Sequence, residues 1–244
     1  MFQRADIALV ERGFFESRAK ARAAIEAGLV RANGAALRKP ADRIAPDAAI
    51  EASSPHPYVS RGGLKLAAAL TAFGFDPAGE TCLDLGASTG GFTDVLLRRG
   101  AAKVYAIDVG HDQLHASLRG DPRVVSMEGL DSRALGAGLF DAPPRLVVCD
   151  VSFISLKLAL PRALSLAAPD ARLAALVKPQ FEAGRGRVNK GVVRDAAVHA
   201  EVCEDIRAFV AGLGWRVLGV VPSPVEGGDG TREFLLGAAR GAST

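Results

Sequence analysis

Four residues of this 244-residue chain combine the types that proton transfer needs with places inside or at the ends of apolar runs. Lys65 sits among Leu64, Leu66 and Leu70 in an otherwise apolar helical run. Asp150 ends the apolar stretch PRLVVCD, Lys178 ends RLAALVK, and Glu233 opens EFLLGAA. A charged side chain inside an apolar run is costly unless it has a partner. Two lysines and two carboxylates brought together would offset one another and make burial tolerable. Such a cluster could take a proton from a weakly acidic hydroxyl. A lysine does this only as the free amine, and its reference pKa of about 10.4 must then be lowered. A second cation nearby and partial burial both act in that direction. On this reading Lys178 is the base. Lys65 depresses it and steadies a developing oxyanion, and Asp150 and Glu233 orient the lysines.

The elements that position these residues follow from pattern. TCLDLGASTGGFTDVLLRRG, residues 81–100, is a short apolar strand, a glycine-rich turn and a helix. KVYAIDVG ends a second strand on Asp108, about 20 residues further on. RVVSMEGLD, PRLVVCD and RLAALVK give three more strands, and WRVLGVVPSPV with REFLLGAA closes the chain as an antiparallel hairpin. Strands alternating with helices predict an α/β fold with a doubly wound, mostly parallel sheet. Ligands in such sheets sit beyond the carboxyl ends of the strands, where Asp84, Asp108, Asp150 and Lys178 all fall. The Gly62-Gly63 pair ahead of Lys65 is expected to let that lysine move.

The glycine turn departs from a dinucleotide fingerprint, because Ser88 stands at the second glycine position and no phosphate-binding lysine follows. The string Asp-x-Gly-x-x-x-Gly-Gly instead resembles the first motif of S-adenosylmethionine-dependent methyltransferases. The resemblance implies a cofactor site built from Asp84, Gly86, Ala87, Ser88, Gly90 and Gly91. Asp84 would face the cofactor's ammonium, Asp108 its ribose hydroxyls, the stretch Glu128 to Asp131, with Glu128 and Gly129 foremost, its adenine edge, and Asp150 its reacting end.

Ahead of this segment, residues 1–51 read as two helices and a hairpin. Ser17 serves as a cap, Gly28 as a stop and Asn33-Gly34 as the turn. ASSPHPYV, residues 52–59, reads as a linker to a second domain over 60–244. Net charge is only +3, yet residues 18–43 hold seven cations against two acids. That density suits phosphate. The stretch LVERGFFESRAKARAAIEAGLVRANG resembles the αL RNA-binding module first seen in a small-subunit ribosomal protein, the S-four-like domain. Arg4, Arg18, Lys20 and Arg22 are the RNA-contact candidates here. Arg61, Arg185, Arg187 and Lys190 are candidates nearer the cleft, the last three in the basic loop EAGRGRVNKGVVRD.

PYVSRGGLKL, DLGASTGGFTDVLL, CDVSFISL, LVKPQFE and GVVRD together resemble the TlyA family, from about residue 4 to residue 240. The resemblance implies a Rossmann-like class I methyltransferase domain of the FtsJ type, with a seven-stranded sheet and a small N-terminal α+β RNA-binding domain. It implies S-adenosylmethionine as cofactor, ribosomal RNA or ribosomal subunits as partner, and methylation of a cytidine 2′-hydroxyl. The FtsJ-type Lys-Asp-Lys-Glu tetrad falls on Lys65, Asp150, Lys178 and Glu233. Where relatives often carry Asn-x-Arg after the third strand, this chain has Asp131-Ser132-Arg133. The short tail after the last strand points to large-subunit RNA as the target. No metal is implied.

Two other classes remain open at this point, a non-catalytic RNA-binding or assembly protein and a membrane-active haemolysin, a name the family also carries. Arg4, Asp6 and Glu11 interrupt the first helical pattern, so it does not read as a signal peptide, and no charge-free apolar run reaches spanning length. Cys82, Cys149 and Cys203 lack metal or disulfide spacing. A cytoplasmic protein without stable membrane association is expected.

Overall fold

The computed structural model describes residues 2–241 apart from positions 16, 54, 55, 190, 228 and 229. The chain divides into two compact units, at Pro57 and Tyr58.

The first unit opens with β1 (Gln3–Arg4) and α1 (Ala5–Glu11), followed by α2 (Arg18–Glu26). The Ser17 hydroxyl accepts the Lys20 amide at 3.3 Å, so the expected cap is present. Gly28 ends the helix at φ 72°. β2 (Val30–Ala32) and β3 (Ala35–Ala36) then pair antiparallel around Asn33 and Gly34, both at positive φ, as a tight two-residue hairpin requires. Three short strands escaped the sequence reading. β1 pairs with β4 (Arg43–Ile44), and β5 (Ile50–Ala52) adds a third strand beside β2. Strands of two or three residues show no alternation to recognise. Ala52, read as the first linker residue, closes β5. The unit has a core of its own, with Leu9, Ala21, Ile25 and Val30 fully or almost fully enclosed.

The second unit contains α3 (Gly62–Phe73), β6 (Thr81–Leu85), α4 (Gly91–Arg98), β7 (Lys103–Asp108), α5 (Ala116–Arg119), β8 (Val124–Glu128), β9 (Leu146–Cys149), α6 (Leu156–Leu166), β10 (Arg172–Val177), α7 (Pro179–Glu182), α8 (Ala196–Gly212), β11 (Arg216–Pro222) and β12 (Phe234–Ala239). The fold is a doubly wound α/β sandwich around a seven-stranded sheet ordered β11-β12-β10-β9-β6-β7-β8. β6 to β10 run parallel, and β12 lies antiparallel between β10 and β11.

The strands are apolar on both faces because helices cover both. Leu83, Leu85, Tyr105, Ile107, Val147, Cys149, Leu173 and Val177 pack with residues of α6 and α8. Their alternate neighbours Cys82, Val104, Leu146, Val148 and Leu176 pack with residues of α3, α4 and α5. Burial pushes the Cys82 and Cys149 thiols up to about 12, so both are inert packing groups. The strand order reverses between the parallel neighbours β6 and β9, and this switch point lies at the carboxyl ends that carry the chemistry. No helix among the described residues is long and apolar enough to cross a membrane.

Candidate active site

The turn after β6 is built by close approach. Gly86 has φ 78°, and a Cβ there would lie 2.7 Å from the Asp150 carbonyl oxygen on the neighbouring strand. Only glycine lets the ends of β6 and β9 come this near. The Gly86 and Ala87 amides donate to the Ile107 carbonyl at 2.9 and 3.0 Å, and the Ser88 amide donates to the Asp108 carboxylate at 2.8 Å. Those three donors are therefore committed to the second strand rather than offered to an anion. Gly90, at φ 95°, caps α4.

Two adjoining cavities open at this edge, and Gly86, Ser88, Asp150 and Ser152 line both. The larger, about 410 Å³, is lined by Ile107, Val109, Leu130 and Val151 together with the carboxylates Asp108 and Asp131. An apolar cavity of this size with carboxylate acceptors fits a nucleoside, the base against the aliphatic walls and ribose hydroxyls toward Asp108. The smaller, about 320 Å³, is lined by Ser60, Arg61, Gly62, Lys65, Asp150, Lys178 and Gly227, among others.

Four charged residues gather as two pairs. Lys65 Nζ lies 2.5 Å from Glu233 Oε2, and Lys178 Nζ lies 2.6 Å from Asp150 Oδ1. Lys178 also donates to the Ser152 hydroxyl at 2.9 Å. Both lysines are 8% exposed and Glu233 is 3% exposed. The register explains the gathering. Val177 pairs with Phe234, so Lys178 and Glu233 leave the sheet side by side, and β9 flanks β10 on its other edge. Lys65 arrives from the first turn of α3.

The glycines ahead of Lys65 have a steric role that the expected hinge overlooked. A Cβ on Gly63 would lie 2.5 Å from the Tyr58 ring, and one on Gly91 would overlap the Ser60 hydroxyl and approach the Gly63 amide at 3.0 Å. The N-termini of α3 and α4 thus touch through glycine backbone.

Several expected residues lie elsewhere. Asp84 lines neither cavity. It is fully buried, with Thr93 donating to Oδ2 at 2.7 Å and with Oδ1 unpartnered. Burial, opposed by the Thr93 hydroxyl and reinforced by the Asp150 and Asp108 charges, pushes its carboxyl up to about 7. Glu128 accepts the amides of Asp112, Gln113 and Leu114 at 2.6, 2.9 and 3.0 Å, and these bonds hold its carboxyl below the usual range. It shapes the 110–114 loop and does not line the cavity, and Gly129, at φ 72°, packs on the His111 ring. Asp131 takes the cavity position, its carboxyl held down to about 2 by the Arg133 guanidinium. Ser152 was missed, and its only signal was its place two residues after Asp150.

Among the basic residues, Arg4 and Arg18 both grip Asp6, at 2.9 and 2.8 Å. Asp6 is fully buried, and the Arg4 hydrogen bond, followed by that of Arg18, holds its carboxyl down to about 2. These two arginines therefore neutralise a core carboxylate. Arg22 is exposed on α2, Lys20 follows the cap, and Arg61 is exposed at the smaller cavity. Arg187 pairs with Glu201 on α8. Lys190 and the Arg185 side chain lie outside the described residues.

The FtsJ-like methyltransferase family matches residues 58–240, and the S4 domain family matches residues 3–50. Bacillus subtilis YqxC, which bears an rRNA-methyltransferase name, is 48% identical and aligns over 96% of this chain and 84% of its own length. The 16S/23S rRNA (cytidine-2′-O)-methyltransferase TlyA of Mycobacterium tuberculosis is 46% identical over 96% of this chain and 88% of its own. A solved structure from Streptococcus thermophilus that bears the hemolysin name superposes with a TM-score of 0.79 at 41% identity, covering 99% of this chain and 90% of that one.

Proposed function

Because this chain belongs to the TlyA family of FtsJ-like methyltransferases, we propose that it methylates the 2′-hydroxyl of a cytidine in ribosomal RNA, with Lys178 as general base. The observation that carries the reading is the pair of buried lysine–carboxylate contacts opening beside a nucleoside-sized slot. When bound, S-adenosylmethionine supplies an electrophilic methyl group. Asp108 and the aliphatic walls of the larger cavity would hold its nucleoside part, leaving its other end toward Asp150 and the lysines.

The chain's own residues then have separable tasks. Lys178 takes the hydroxyl proton as the oxygen attacks, and Asp150 and Ser152 keep its nitrogen aimed into the cleft. Lys65, held from behind by Glu233, places a fixed cation where negative charge grows on the ribose oxygen. Arg61 at the rim and the exposed cations of the first unit, Arg22 above all, take RNA phosphates.

Purified protein, S-adenosylmethionine carrying a labelled methyl group, and both ribosomal subunits test the proposal together. Nuclease digestion and mass spectrometry should locate the label on a cytidine ribose. Label on a base, or no transfer to either subunit's RNA, would remove the reading. The same digest tells whether one or both RNAs are substrates.

A further inference from the structure

We propose that Glu182 is a positioning residue for methyl transfer, the strut that holds the segment carrying Asp150 and Ser152 against the segment carrying Lys178. The inference rests on the function proposed above. Glu182 ends α7, the single helical turn that begins directly after Lys178. Its carboxylate reaches across to the segment that follows β9. Ser155 Oγ donates to Oε2 at 2.5 Å, and the Leu156 amide donates to Oε1 at 2.8 Å.

Contacts at three places then join these two segments along their length. At the cleft, Lys178 meets Asp150 at 2.6 Å and Ser152 at 2.9 Å. In the middle, the Phe153 and Phe181 rings lie 5.2 Å apart. At the far end, Glu182 holds Ser155 and Leu156. The segment after Asp150 needs such support, because Phe153 sits at φ 66° and is 92% exposed, so packing does little to fix it. The other side of α7 is tied as well. Gln180 Nε2 donates to the Thr231 hydroxyl at 3.4 Å, two residues before Glu233. One turn of helix therefore braces the three strand ends that carry Asp150, Lys178 and Glu233.

A plain helix cap does not account for Glu182. The start of α6 already has a local cap, since Ser155 Oγ accepts the Lys157 amide at 3.1 Å. The glutamate comes from a different strand end. Its carboxyl is pushed above the usual range by burial, against the Ser155 and Leu156 hydrogen bonds and the Lys157 charge, with Asp205 adding to the rise. Holding a desolvated carboxylate there is unfavourable unless the bonds it makes are needed.

The test uses the full chain with Glu182→Gln, Glu182→Ala, Ser155→Ala and the Glu182→Gln/Ser155→Ala double variant. Single-turnover methyl transfer is measured at saturating cofactor and ribosomal RNA, beside calorimetric cofactor affinity, thermal midpoint, and amide hydrogen exchange without RNA. Misplacing reacting groups by about 1 Å costs roughly 10²-fold, so Glu182→Ala should slow transfer by about that factor. Glu182→Gln keeps an acceptor for Leu156 and should fall between it and wild type. Cofactor affinity should fall much less than transfer does, because the segment also lines the larger cavity while the alignment it sets is felt mainly in the reacting step. The double variant should be no slower than the slower single variant, and protection of the Leu156 amide should drop. Unchanged transfer, additive losses, or a loss that follows cofactor affinity or folded fraction would overturn the strut. If the wild type itself transfers no methyl group, the proposed function fails. Exchange then decides the strut alone, and unaltered protection at Leu156 overturns it.

Discussion

Lys178 and Lys65 are both buried and both paired, yet their partners face different ways. Lys178 shares Asp150 with the cleft, while Glu233 stands behind Lys65. Replacing Lys178 by alanine should therefore lower turnover by about 10²–10⁴-fold, the usual range for losing a general base. Cofactor and RNA affinity should stay within a few-fold, as read by calorimetry and filter binding. Retention of more than about a tenth of wild-type turnover would move the base to another residue. Asp84 gives a pH prediction with a definite sign. Its folded pKa of about 7 lies above the unfolded value near 3.9, so the folded state binds the extra proton between those limits. Its contribution to stability is full below about pH 4 and is lost as pH rises through about 7. The loss is at most on the order of a few kcal/mol. Thermal midpoints of wild type and Asp84→Asn from pH 5 to 8 check this, the wild type falling more steeply with pH. Parallel slopes would show that the carboxyl is ionised throughout.

At the scale of elements, the start of α3 and the start of α2 each separate two roles that one stretch of sequence merges. Gly63 faces the Tyr58 ring at a distance no Cβ can share, whereas a Cβ on Gly62 would meet the Ser60 hydroxyl at 3.4 Å. Gly63→Ala should cost about 1–3 kcal/mol by overpacking and displace Lys65 with the helix end. Gly62→Ala should fold normally. Equal thermal midpoints for the two variants would restore a hinge as the reason for the pair. On α2, Arg18 serves Asp6 and Arg22 serves the solvent face. Arg18→Ala should destabilise the first unit by about 1–3 kcal/mol, because among the described residues Asp6 is left with Arg4 as its single charged partner. Arg22→Ala should leave stability alone and make the salt dependence of RNA binding shallower, by about one unit of slope for each phosphate that Arg22 neutralises. Filter binding across a salt series, beside thermal melts, distinguishes them.

For the whole molecule, two units with separate cores predict separable functions. A chain beginning at Tyr58 should keep cofactor affinity, because every residue of both cavities lies in the second unit. Its affinity for ribosomal RNA should fall and its salt slope should flatten, since the exposed cations of α2 are gone. Cofactor titration and RNA binding of the two chains test this, and an unchanged RNA affinity would place recognition entirely in the second unit.

The sequence by itself determined the elements and the edge at which chemistry gathers. Apolar runs ending on Asp84, Asp108, Asp150 and Lys178, split by a glycine turn, specify a doubly wound sheet and its switch point, because period and turn chemistry are local properties. The hairpin at Asn33-Gly34 and the Ser17 cap were legible for the same reason. Which acid meets the cleft was decided only by the tertiary structure. Asp84 and Asp150 look alike as strand-terminal aspartates, but Asp84 pairs with Val148, two residues deeper along the sheet. One pleat repeat separates a carboxylate under the turn from one in the cleft. The pairing of Lys65 with Glu233, the grip of Arg18 on Asp6 and the reach of Glu182 to Leu156 join residues 168, 12 and 26 positions apart. Such contacts depend on strand order and helix placement. Charge and spacing along the chain carry no record of them.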